Sequence, residues 1–186
     1  MGECRREDEM PTWEQLLIRT TDLDCQRLLS YWRWLLQKDY HPIVMTAFRD
    51  WFLLDQDGSV HFLDLVAGSL SKVAESGEEF KQVMGLPEKL DEWFMAEVVQ
   101  SLLDAGIVLE ENQCYGYKIP PVLGAKIEVA NIELTDIAVH QGILSQIHEQ
   151  TRNLPEGTRI NKVLIDGEEP DSWELVRDLQ TRRKKR

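Results

Sequence analysis

The stretch TAFRDWFLLDQDGSVHFLDLVAGSL, residues 46–70, places two runs of bulky apolar residues on either side of the acidic turn Asp55-Gln56-Asp57-Gly58. Three readings compete for that centre: a calcium loop, a catalytic acid pair, or the bend of a hairpin. An EF-hand loop needs oxygen ligands at its first, third and fifth positions and Gly at its sixth. With Gly58 sixth, Asp57 and Asp55 fill the fifth and third, but Leu53 stands first and offers no ligand. A carboxylate pair for acid–base work needs a cleft and a shifted pKa, and among 33 acidic residues close pairs arise by chance. The hairpin explains the same residues with fewer demands. Asp55 can accept from nearby backbone N–H groups, Gln56-Asp57 suit a type I turn, and Gly58 takes the left-handed position that closes a short loop.

The flanks then become strands. Residues 44–54 form one run rich in aromatic and branched residues, and 60–66 a second. In the second run Val60 and Phe62 lie on one side, with His61, Leu63 and Leu65 on the other, so the sheet is expected to be covered on both faces. Gly68 turns the chain into a third strand at 69–74, giving a meander of three antiparallel strands. Upstream, Thr12 and Gln15 have the spacing of a capping box for a helix from Trp13. Leu28, Tyr31, Trp32 and Leu35 recur at helical spacing within an expected helix at 23–37. His41-Pro42 is expected to interrupt the chain beyond that helix, because the residue before proline avoids helical angles.

Downstream, Ser76 can cap a helix whose first turn carries Glu78 and Glu79, placed to favour the positive helix end. Gly85-Leu86-Pro87 splits it from a second helix at 88–105, with Leu90, Trp93, Phe94, Glu97, Val98 and Leu102 on one stripe and Gly106 at its end. Short strands return around Tyr115-Gly116-Tyr117 and at IELTD (132–136). A helix follows from Ala138, with Ile143, Leu144 and Ile147 inward and Gly142 a mild cost of about 1 kcal/mol relative to alanine. Residues 160–165 read as a last strand, 1–11 as a disordered terminus, and 167–186 as a charged tail with a short helix at 172–179. The fold class is α+β: a mainly antiparallel sheet of hairpins flanked by helices, one domain at 12–166.

Charge narrows the function. The chain has 186 residues and a formal net charge of −12. The last five residues, Arg182 to Arg186, carry +5, leaving −17 on residues 1–181. A body this acidic repels nucleic acid and anionic membranes and attracts a basic protein partner. No apolar run approaches the roughly 20 residues of a membrane helix, and the N-terminus has no signal-peptide core. Cys4, Cys25 and Cys114 are odd in number and lack metal-like spacing, which fits a reduced cytoplasm. His140 and His148 stand eight apart, not the three or four of a helical zinc pair, so ordinary surface or half-buried histidines are expected. Cys114 with either histidine could form a nucleophilic dyad but lacks a recognisable nucleophile motif; a small hydrolase or ligand-binding regulatory protein is the alternative to a binding protein. GSLSK lacks the spacing of a phosphate loop. No metal, cofactor or catalytic residue is therefore assigned. Trp32, Trp51 and Trp93 fall on periodic apolar faces and are expected in the core.

Several of these motifs together carry a resemblance. Asp57-Gly58 followed by Phe62-Leu63-Asp64, then Tyr115-Gly116, Leu123-Gly124 and the run from Thr135 to His140 before a helix, resemble the C-terminal domain of immunity proteins paired with type VI secretion DNase toxins. The likeness spans about residues 44–150. It implies a bacterial, toxin-neutralising, non-enzymatic protein with a cognate toxin as partner, and it carries over no catalytic residue. The acidic face expected to meet a basic toxin combines Asp55 and Asp57 of the hairpin with Glu110 and Glu111 before the Tyr-Gly segment.

Overall fold

The acidic turn is a hairpin. In a computed structural model describing residues 10–165, apart from 22 and 156, the chain bends at Asp55–Ser59. The N–H of Asp55 bonds to the carbonyl of Ser59 at 2.9 Å, and Gly58 adopts φ +86°. The bend joins β2 (Trp51–Leu54) to β3 (Val60–Asp64) with Phe52 opposite Phe62. Their rings lie 4.8 Å apart, the kind of aromatic cross-strand pair that fixes register.

The sheet has four strands, not three. The run expected as one strand at 44–54 divides into β1 (His41–Met45) and β2, and β4 (Ser69–Ala74) completes an antiparallel meander in the order β1-β2-β3-β4. His41-Pro42 does not interrupt the chain but starts β1. This is an edge strand, and its register shifts between Pro42 and Val44. An edge and a bulge are the places where a strand tolerates a residue without an N–H.

The dividing corner contains neither glycine nor proline. The N–H of Arg49 bonds to the carbonyl of Thr46, and the N–H of Thr46 to the carbonyl of Asp50, both at 2.9 Å, with Arg49 at φ +83°. Neighbouring elements hold the corner from outside. Ala47 donates to Leu16 at the end of α1 (Trp13–Leu16), and Tyr115 in β5 (Gln113–Tyr117) donates to Ala47. The capping box of α1 forms as its spacing predicts, with the Gln15 side chain accepting from the Thr12 N–H at 2.8 Å.

Both sheet faces are covered. On one, Phe52, Val60 and Phe62 pack with Phe80 of α3 (Gly77–Val83), Trp93 and Phe94 of α4 (Pro87–Phe94), and Val99 and Leu102 of α5 (Ala96–Asp104). On the other, Trp51, Leu53, Leu63 and Leu65 pack with Leu28 of α2 (Cys25–Ser30), Trp32, and Ile137 and Leu144 of α6 (Ile137–Thr151). Trp32, Trp51 and Trp93 are all buried. β5 pairs with β6 (Ile132–Asp136) in a separate two-stranded sheet. The architecture is α+β.

Three further expectations change. The helix at 23–37 is helical only over Cys25–Ser30 and continues as turns. The helix at 88–105 breaks at Met95, which takes φ +50° between α4 and α5, and Glu97 points to solvent instead of lying on the buried stripe. Residues 160–165 form no ladder; Val163 and Ile165 instead bury themselves with Ile147 of α6. Met10 packs against the first cluster, whereas the expectations for residues 1–9 and 166–186 lie outside the described residues.

Candidate functional site

The expected acids occupy two places. At the hairpin tip Asp57 is exposed, and its carboxylate accepts from the N–H of Ser59 at 2.9 Å and from the Ser59 hydroxyl at 2.6 Å. These bonds hold its carboxyl below the usual range. Asp55 does not protrude as expected: it is 6% exposed, pairs with the Lys38 ammonium, and accepts from the Gln56 N–H at 2.7 Å. The bond from Lys38 is the main cause that lowers its pKa. His61 lies 3.5 Å from the same carboxylate. Asp55 is thus engaged within the chain, while Asp57 is presented.

Glu110 and Glu111 are both exposed. The turn that carries them closes on itself: Gln113 donates to the Glu110 carbonyl at 3.2 Å, and the Gln113 side chain accepts from the Glu110 N–H at 3.1 Å. Asn112 takes φ +62°, and its carbonyl accepts from Ile137 at the start of α6. The Ile137 carbonyl accepts in turn from Arg49, just before β2, whereas Asp55 follows β2. The four residues of β2 alone span roughly 13 Å, so the hairpin acids and the glutamates belong to separate patches.

The glutamates border a surface cleft of about 340 Å³ between α1 and the turn before β5. Glu14 and Arg19 share its rim, and half-buried Leu17, Ile18 and Leu109 line it. Glu14 gave no signal in the sequence because a four-residue helix carries too little periodicity to say which way its side chains face, and Arg19 gave none because it lies in the irregular segment that follows.

A buried polar network lies beneath the sheet corner. Arg49 is fully buried; its Nη1 donates to the Ile137 carbonyl at 2.9 Å, while Nε and Nη2 have no partner. Desolvation lowers its pKa to about 10. The Gln141 amide donates to the Arg49 carbonyl at 3.3 Å and accepts from the Trp32 indole at 2.7 Å, tying corner, α6 and the α2 region together. Asp50 accepts from the Leu65 N–H at 2.8 Å and from the Thr46 hydroxyl at 3.1 Å, and burial pushes its carboxyl up to about 7. One sequence signal for this network was available: an Arg-Asp pair inside a run of bulky residues.

His140 and His148 are buried, not surface or half-buried as expected, whereas His41 is exposed and His61 half-buried. His148 contacts the Leu65 carbonyl through Nε2 at 2.9 Å, and burial depresses its pKa. His140 Nε2 has no partner, and burial lowers its pKa to about 3. The Cys114 thiol donates to the Thr135 carbonyl at 3.6 Å, and burial pushes it up to about 12. A thiol held that high is not a nucleophile at neutral pH. Among the described residues no group of three or more His, Cys, Asp or Glu could hold a metal, and no helix is long and apolar enough to cross a membrane.

No curated protein matches the chain. Among solved structures, the crystal structure of Atu4351 from Agrobacterium tumefaciens is similar, with 15% identity and a TM-score of 0.47 over 74% of this chain and 70% of that one. The span from the last residue of β4 into α6, residues 74–148, matches the family model of the T6SS immunity protein Tdi1, C-terminal; the match takes in Tyr115-Gly116, Leu123-Gly124 and the run from Thr135 to His140, whereas Asp57-Gly58 and Phe62-Leu63-Asp64 lie outside it.

Proposed function

We propose that this chain is a cytoplasmic, non-enzymatic immunity-type protein that neutralises a basic, nuclease-like toxin through its acidic surface. The observation that carries the reading is the family match over residues 74–148, which takes in Glu110 and Glu111. Charge supports it: a nuclease must be basic where it holds phosphate, and a partner carrying −12 competes for that surface with fast, salt-sensitive association. The chemistry of the interior supports it as well, since Cys114 and His140 are both buried and held in their neutral forms at neutral pH. That disfavours a hydrolase built on them. Glu110, Glu111 and Asp57 are the proposed contact acids, and Asp55 shapes the hairpin that presents Asp57.

The test is co-expression with the nuclease domain of a type VI secretion DNase toxin from the same organism. The expected result is a stable complex in which DNA cleavage is suppressed. Unchanged cleavage at saturating amounts of this protein would sink the reading.

A further inference from the structure

We infer that the cleft between α1 and the turn before β5 is the seat for one lysine or arginine side chain of a protein partner. The inference rests on the immunity reading for the partner's identity, but its geometry stands separately. The cleft combines two features that suit one kind of side chain. Its rim carries Glu14, Glu110 and Glu111, all exposed, and none has a side-chain hydrogen bond or ion pair among the described residues. Its wall is aliphatic, formed by half-buried Leu17, Ile18 and Leu109. A small free cation gains nothing from the leucines, and a purely apolar side chain leaves three carboxylates uncompensated. A methylene stem ending in an ammonium or guanidinium uses both.

The site is also held in shape before binding. The Glu110–Gln113 turn is closed by two internal hydrogen bonds and anchored to α6 through Asn112, so little ordering is left for the partner to impose. The surroundings suit a protein, not a lone amino acid: Val108 and Trp13, chain neighbours of lining residues, are 57% and 41% exposed. Apolar surface beside an acidic pocket is the pattern of an interface. Arg19 is the one cation among the lining residues and opposes the occupant.

The experiment titrates the full, isotope-labelled chain with N-acetyl-arginine amide, N-acetyl-lysine amide and N-acetyl-norleucine amide, following backbone amide signals. The two cations are expected to move the signals of Leu17, Ile18 and Leu109 saturably, and norleucine amide is not. The combined Glu14→Gln, Glu110→Gln, Glu111→Gln variant should weaken binding by about tenfold, and Arg19→Gln should tighten it about threefold. Glu149→Gln, exposed on α6, should change nothing. Equal shifts with norleucine amide overturn the proposal. So does movement of the same signals, without any probe, when Arg182 to Arg186 are replaced by glutamine, because the occupant is then the chain's own basic end. A triple-glutamine variant that still neutralises its toxin fully removes the cleft and leaves the immunity reading standing. Cation binding in a chain that inhibits no toxin does the reverse.

Discussion

At the scale of single residues, Asp50 and His140 work against each other as pH changes. Burial pushes the Asp50 carboxyl up to about 7 in the folded chain, and Asp64 adds repulsion. In the unfolded chain an aspartate releases its proton near pH 3.9. Between those values the folded state holds more protons, so stability falls as pH rises, by at most about 1.4 kcal/mol per unit. His140 has the opposite sign. Its folded pKa of about 3 lies below the unfolded value, so the unfolded state binds more protons between about 3 and 6.5, and stability falls as pH drops. Asp50 therefore offsets part of the acid sensitivity that the histidines create. Asp50→Asn keeps the shape and can accept from Leu65 while donating to Thr46, but it cannot titrate. Urea unfolding at a series of pH values is expected to show a steeper acid slope for this variant between pH about 4 and 6.5, by at most about 1.4 kcal/mol per unit. Superimposable profiles would refute the assignment. Asp50→Ala should be worse at every pH, by about 1–3 kcal/mol, because it leaves the buried Leu65 N–H without an acceptor.

At the scale of elements, turns built from their own residues were legible and turns built by tertiary contact were not. The Asp55–Gly58 bend, the Ser76 cap and the stop at Gly106 all announce themselves in local chemistry, and all are present. The corner at 46–50 and the break at Met95 use residues that normally avoid left-handed angles. There Arg49 is held by α6 and Met95 by the packing of α4 against α5, so no local pattern gives them away. The run at 160–165 has the alternation of a strand but joins no ladder among the described residues, and Val163 and Ile165 pack with Ile147 of α6 instead. The same distinction yields a measurable contrast between two glycines. A Cβ on Gly58 would meet nothing within 4 Å, yet φ there is +86°. Gly58→Ala should thus cost about 1–2 kcal/mol from backbone strain alone. A Cβ on Gly85 also meets nothing, and its φ is not left-handed. Gly85→Ala should be neutral or slightly stabilising, since alanine restricts the unfolded chain. Thermal unfolding of the two variants side by side checks the pair, and equal losses would mean that the hairpin does not need its left-handed residue.

At the scale of the whole molecule, the charge was legible and its arrangement was not. A net −12 sets a long-range attraction for a basic partner whichever acids touch it. The arrangement depends on topology: the strand between Asp57 and the Glu110–Glu111 turn separates them into two patches, with Glu14 joining the second. This separation predicts how the patches divide the work. Steering sums over all exposed charges, whereas holding the complex together depends on groups in contact. Neutralising Asp57 and neutralising the cleft glutamates should therefore each lower the association rate, with effects that add because the sites share no partners. Only the cleft variants should also speed dissociation. Stopped-flow association at salt concentrations from about 0.05 to 0.5 M separates these terms, since the shared attraction fades as the screening length drops below about 10 Å. At high salt the Asp57 variant should become indistinguishable from the parent, while the cleft variants remain weaker through their faster dissociation. If instead Asp57 governs dissociation and the glutamates only the encounter, the partner sits on the hairpin end of the sheet.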